Sequence, residues 1–218
     1  MEKAHGENEP PQRTRGDFVH TLVKAGLSAV PVVGGSAAEV FALIIAPPLE
    51  KRRDEWLQEL ADIVNELERR QPSVTPEELS KNDAFISATL QASQIAMRTH
   101  QAEKRECLKN ALFHVATQES ADDQAQAFFL ELVDVFTVTH IEILRLFSNR
   151  AAFPQERFRA LDANRSLTDF IVLDLNARGL LIDPRPFAAR MREPLHSFVS
   201  DSWTLSNLGT RFLAFISD

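Results

Sequence analysis

The chain has 218 residues, of which 44% are hydrophobic and 25% charged, enough apolar material to build a core in one large domain or two small ones. Its formal net charge is −7, with residues 151–218 neutral (eight Arg against eight Asp/Glu) and the whole excess on residues 1–150, so neither part has the basic balance that phosphate neutralisation requires. Cys107 is the only cysteine, which excludes an intrachain disulfide and fits a reducing, cytoplasmic setting.

Residues 1–16 are polar and mixed in charge, without the basic start and apolar run of a signal peptide, and are expected to form a disordered tail. Asp17 can cap a helix over residues 18–29, which Pro31 ends by disfavouring helical geometry at Val30. The segment Pro31-Val-Val-Gly-Gly35 then reads as a turn, with Ser36 as the next N-cap. A second helix over 37–46 should be broken or kinked at Pro47-Pro48.

From Pro48 the periodicity sharpens. Leu49, Arg53, Trp56, Leu60, Ile63 and Leu67 alternate in steps of four and three, one stripe of a helix over 49–70. Thr75-Pro-Glu-Glu78 has capping-box spacing for a short helix. A long helix is expected over 83–116, with Phe85, Ala88, Ala92, Ile95, Thr99, Ala102, Leu108, Ala111, Leu112 and Val115 along one side. Another is expected over 125–149, with Phe128, Leu132, Val135, Phe136, Ile143, Leu144 and Phe147 inward.

After Asn149 the texture changes. A short helix over 155–161 precedes a helix over 167–178, capped by Ser166 and stopped by Gly179 as the C′ residue. Leu180-Leu-Ile182 is a short apolar run, a proline-spaced connection follows, residues 196–203 alternate as a strand, and residues 206–216 close the chain as a helix. The expected fold is mainly α: a tail over 1–16, a helical bundle with a hydrophobic N-terminal hairpin over 17–149, and a small domain over 150–218 whose element order is that of a winged helix-turn-helix.

Two resemblances follow from these residues. The run Leu173-Asp-Leu-Asn-Ala-Arg-Gly-Leu-Leu181, followed by Trp203-Thr-Leu-Ser-Asn-Leu-Gly-Thr-Arg-Phe-Leu-Ala-Phe-Ile216, resembles the closing pattern of many bacterial winged-helix domains, with Leu205-Ser206 where that pattern has leucine-threonine. The Pro31-Val-Val-Gly-Gly35 turn and the stretch Thr99-His-Gln-Ala-Glu-Lys-Arg-Glu-Cys-Leu-Lys-Asn110 resemble a group of uncharacterised bacterial all-helical proteins. That resemblance implies an architecture and a bacterial origin and carries no activity with it.

Catalytic chemistry finds little support. The six histidines are scattered without metal-ligand pairing, and Gly34-Gly35 lacks the lysine and the preceding strand of a phosphate loop. Lys104, Arg105 and Lys109 flank Cys107 and would favour its thiolate, but no glycine-framed or paired-cysteine context supports a reactive thiol, and a structural or idle thiol is the expectation. No enzyme, metal, cofactor or small-molecule substrate is expected.

Two surfaces stand out instead. The hairpin presents Leu22, Val23, Leu27, Val30, Val32, Val33, Val40, Phe41, Leu43, Ile44 and Ile45 as a candidate membrane or interface element, followed by Lys51-Arg52-Arg53. Its two uncharged runs are too short for a spanning helix of about 18 residues or more, and packing against the other helices in the core is the first expectation for them, ahead of a membrane role. In the C-terminal domain Arg165, Arg178, Arg185, Arg190 and Arg192 are the candidate nucleic-acid contacts. The helix that would enter a groove, however, is expected to present Thr168, Asp169, Asp174 and Asn176, and two aspartates repel phosphate.

The leading expectation is therefore a non-enzymatic bacterial interaction or adaptor protein that self-associates or binds another protein. The alternatives are a membrane-acting effector of a stress or antiviral defence system using residues 18–46, peripheral to a membrane, and a winged-helix DNA-binding regulator.

Overall fold

The computed structural model describes residues 36–117, 122–149, 155–183 and 203–218, with side chains in the first helix described from Ile44 onward. The N-terminal tail, the hairpin residues Leu22, Val23, Leu27, Val30, Val32 and Val33, the side chains of Val40, Phe41 and Leu43, the arginines 185, 190 and 192, and the strand expected over 196–202 lie outside what it describes. Among the described residues the protein is mainly α, with nine helices and one two-stranded ribbon. They form two compact units divided between Met97 and Arg98, which places the helices from Ala102 to Ser148 with the C-terminal segment. The change of texture in the sequence lies some fifty residues later, at Asn149.

The first unit contains α1 (Ser36–Arg70), α2 (Pro76–Leu79) and α3 (Asp83–Arg98). Helix α1 runs unbroken through Pro47 and Pro48, where a break or kink was expected. Ile44, Pro47 and Pro48 are exposed, and on a solvent-facing turn water can replace the N–H partner that a proline removes. Four of the six residues of the anticipated stripe are inside: Trp56, Leu60, Ile63 and Leu67 are buried, with Val64 beside them, while Leu49 is half-buried and Arg53 exposed. Trp56 Nε1–H donates to Ser93 Oγ at 2.9 Å, and Ser93 donates in turn to Thr89 O at 2.7 Å, which fixes α1 to α3 in the core. Arg52 adds a bond from Nη1 to Met97 O at 3.3 Å, at the C-terminal end of α3 where a cation is favoured. Thr75 caps α2 as its spacing predicts, Oγ1 accepting from Glu78 N at 3.3 Å.

The helix expected over 83–116 is two helices, α3 and α4 (Ala102–Thr117). Thr99 Oγ1 accepts from Gln101 N at 3.2 Å, a local bond that competes with the helical ladder and turns the chain. Ala102 is consequently exposed, while Leu108, Ala111, Leu112 and Val115 stay on the inner face.

The helix expected over 125–149 also divides, into α5 (Asp123–Val135) and α6 (Val138–Ser148). Phe136 is extended (φ −75°, ψ 141°) and Thr137 begins a new helix, so the phase of the inward stripe shifts. Phe128 and Val135 therefore face out, and Phe129, Leu130, Leu132 and Val133 face in. Lys104, only 7% exposed, donates from Nζ to Asp134 O at 2.7 Å in the last turn of α5.

The second unit continues with α7 (Gln155–Ala163), α8 (Arg165–Ala177), β1 (Leu181–Ile182), β2 (Thr204–Leu205) and α9 (Asn207–Ile216). The strands pair antiparallel with Leu181 opposite Leu205 and Ile182 opposite Thr204. Helix α9 packs on α4 and α6. Its Phe212 lies between the Phe129 and Phe136 rings, at centroid distances of 5.7 and 5.8 Å. Asn110 Nδ2 to Ile216 O (3.1 Å) and His114 Nε2 to Ser217 O (3.0 Å) hold the C-terminal turn against α4.

Candidate interaction face

Helix α8 follows α7 after the single residue Asn164, two residues earlier than a Ser166 cap would allow. The anchor is Thr168: it is buried, and its Oγ1–H donates to Leu161 O at 2.9 Å at the end of α7. Thr168, Ile171, Val172 and Leu175 then repeat at three, four and seven residues and form the inner stripe. The other end closes as a Schellman motif. Gly179 N donates to Asn176 O (2.9 Å), Leu180 N to Leu175 O (2.9 Å), and Gly179 has φ +77°, as expected for the C′ glycine.

The strand ribbon and α9 lock onto this end. Ser206 caps α9 by accepting from Gly209 N at 2.9 Å and donates its own proton to Gly179 O at 2.6 Å. Ser206 N also donates to Leu180 O at 3.0 Å. Gly209 allows the approach, because a Cβ there would run into that carbonyl oxygen and stand 2.9 Å from Leu205 Cδ1.

With both ends pinned, the outward face of α8 is fixed, and it is apolar. Leu167, Phe170 and Leu173 are 48%, 65% and 43% exposed, at spacings of three residues along one side of the helix. Ile182, on the strand that follows, is exposed as well. The sequence signal was present in composition: α8 holds more large apolar residues than one face against a core can take.

Three of the four polar residues expected on this face are engaged in other contacts. Thr168 is inside, and Asn176 Nδ2 donates to Leu181 O at 2.8 Å. Asp174 Oδ2 accepts from Arg178 Nε at 2.9 Å and lies 3.5 Å from His140 Nε2. Of the candidate nucleic-acid arginines, Arg165 is exposed at the start of α8, while Arg178 is held by Asp174 with its guanidinium 5.6 Å from the centre of the Phe136 ring. Of the hairpin residues with described side chains, Ile44 is exposed and Ile45 half-buried.

His140, Asp174 and Thr137 form a compact polar group. His140 Nδ1 lies 2.8 Å from Thr137 Oγ1 and accepts from Thr137 N at 3.2 Å, and the ring stacks on Phe136 at 4.8 Å. Nδ1 is thus spent on holding the start of α6 and has no free lone pair for a substrate proton. Burial lowers the His140 pKa below its ordinary value, and Asp174 opposes the shift.

Cys107 is 1% exposed, and burial raises its pKa, so the neighbouring cations do not activate it. Among the described residues no three His, Cys, Asp or Glu converge as metal ligands. An open cavity of about 650 Å³ between α6, α7, β2 and α9 is lined by Glu142, Arg145, Arg157, Leu205 and Leu213, with Arg157 and Glu142 paired to each other at 2.5 Å and no histidine or cysteine in its wall. Among the described residues no helix is long and apolar enough to cross a membrane.

No protein-family model, curated protein or solved structure matches the chain.

Proposed function

We propose that the protein is a non-enzymatic helical interaction or adaptor protein and that α8 carries its docking face. One observation carries this reading: Leu167, Phe170 and Leu173 stand exposed on a helix pinned at both ends, so the face is presented to solvent by design of the surrounding bonds. The order α6, α7, α8, β1, β2, α9 fits a winged-helix-like unit. In that reading α8 takes the place of a recognition helix, and an apolar surface there suits a protein partner, whereas a DNA reader would offer Arg, Lys, Asn or Gln. The resemblance to bacterial helical proteins supplies the expected origin.

The test is a hydrophobic fluorescent dye titrated into the full chain and into a Phe170→Ser/Leu173→Ser variant. Loss of at least half of the bound-dye signal at unchanged helicity is expected. An unchanged signal overturns the docking face, and duplex-DNA binding that weakens steeply with salt would put the regulator reading in its place.

A second reading rests on Ile44, which is 62% exposed beside the exposed Pro47 and Pro48. That suits a segment able to lie on a membrane, as an effector would use it. Co-sedimentation of the full chain with anionic liposomes, lost in an Ile44→Asp/Ile45→Asp variant, supports this reading. A chain that stays in the supernatant removes it.

A further inference from the structure

A cleft of about 210 Å³ opens between the last turn of α4, the start of α5 and α9. Its apolar sides are small alanines and the rings of Phe129 and Phe215, whose centres stand 5.4 Å apart. His114 stacks on Phe215 and is tied through Nε2 to Ser217 O at 3.0 Å, so this side of the cleft is fixed.

Three polar side chains border the same space with bonding capacity to spare. Gln126 is only 6% exposed, and its buried Nε2 has no hydrogen-bond partner among the described residues. A buried amide donor left unpaired is a liability that an acceptor entering the cleft removes. Arg211 sets its guanidinium 6.0 Å from the centre of the Phe129 ring. Asp122 Oδ2, the carboxylate oxygen opposite it, is 3.9 Å away, too far for a hydrogen bond. Asp122 spends Oδ1 on capping α5, accepting from Ala125 N at 3.2 Å, which leaves Oδ2 to the cleft.

We infer that this cleft binds a small zwitterion of the α-amino acid type with an apolar side chain. Its carboxylate takes the Gln126 amide and the Arg211 guanidinium, since that group has lone pairs enough for both donors at once. A plain anion would meet the same donors but set its charge beside Asp122. The ammonium group removes that repulsion by pairing with Oδ2, and the side chain lies against Phe129 and Phe215. The volume is below the roughly 300–1,000 Å³ of pockets for drug-sized ligands, which restricts the ligand to the size of one amino acid. The inference is independent of the docking face on α8, and it adds a bound ligand to a protein read as non-enzymatic.

The probes are L-valine, L-leucine and L-methionine, titrated calorimetrically into the full chain. Beside them stand 4-methylpentanoate and 3-methylbutylamine, which are leucine without its amine and without its carboxylate. At least one amino acid should bind with Kd below about 1 mM, and removal of either charged group should weaken binding at least tenfold. Gln126→Leu keeps the volume and removes the stranded donor, so it should unfold no more easily than the native chain and bind at least fivefold more weakly. Asp122→Asn keeps an N-cap and should lose the preference for the amino acid over its deaminated analogue. Absence of binding by all three amino acids up to about 10 mM overturns the site. So does binding that Gln126→Leu and Arg211→Met both leave unchanged. A Gln126→Leu chain that is clearly less stable means that the amide is spent within the fold, and the inference falls with it. Equal affinity of the native chain for leucine and 4-methylpentanoate overturns the zwitterion and makes the ligand a simple carboxylate.

Discussion

His140 Nδ1 accepts a hydrogen bond from Thr137 N at 3.2 Å, so a histidine stands at the N3 position that Glu or Gln fills in a capping box. The bond needs an unprotonated Nδ1, and burial already holds the His140 pKa below its value in the unfolded chain. Between those two values the unfolded state binds more protons than the folded one, so stability falls as pH drops below about 6.5 and continues to fall to the folded-state pKa. Chemical denaturation of the native chain and of His140→Gln between pH 7.5 and 5 should show a shallower pH dependence in the variant, which keeps an acceptor and loses the titration. Equal slopes would mean that His140 is not the group responsible.

Gly209 and Gly179 should respond differently to alanine. At Gly209 the added Cβ meets the backbone carbonyl of Leu180, which is itself fixed by Ser206 N, and the loss should be about 2–4 kcal/mol. At Gly179 the nearest obstacle is Leu208 Cδ2 at 4.0 Å, so only the φ of +77° is penalised, at about 1–2 kcal/mol. Urea unfolding of the two variants checks the order; a larger loss at Gly179 would contradict the packing described for α9.

The bond from Trp56 Nε1 to Ser93 Oγ is fully buried. Ser93→Ala strands the indole N–H and should cost about 1–3 kcal/mol. Trp56→Phe leaves Ser93 its bond to Thr89 O. In the double variant no donor is stranded, so its loss should be smaller than the two single losses added together. Strict additivity across the cycle would show that the bond contributes nothing.

Cys107 should be inert towards a thiol reagent in the native protein and titrate fully once the chain is unfolded. Its labelling rate in mild denaturant then reports opening of the core around α4. Rapid labelling of the native chain would show that the buried position is not kept.

Much of this fold can be read from spacing, and the failures have local causes. Trp56, Leu60, Ile63 and Leu67, the Thr75 cap and the Gly179 terminus follow from periodicity and cap chemistry, each decided within a few residues. The helices over 83–116 and 125–149 were read as continuous because apolar periodicity survives a short break. Only side-chain bonds at Thr99 and Thr137 show where the ladder is interrupted. Proline at 47 and 48 misled in the other direction, since its cost depends on whether the freed carbonyls reach water. The α8 face was hidden for a related reason. Its residue types are plain in the sequence, but which side points inward depends on Thr168 reaching Leu161 O, a contact made by the fold.

Helix α8 in effect has two apolar sides, and hydrophobicity alone does not choose between them. A turn about its own axis would exchange Leu167, Phe170 and Leu173 for Ile171, Val172 and Leu175 at little change in buried carbon. The choice is made by three polar latches: Thr168 to Leu161 O, Asn176 to Leu181 O, and the paired Gly179 and Leu180 amides. Rotational register here is a matter of hydrogen-bond geometry. A valine at 168 would keep almost all of the volume and surrender one latch, giving a helix that is just as greasy and less certain which way to face.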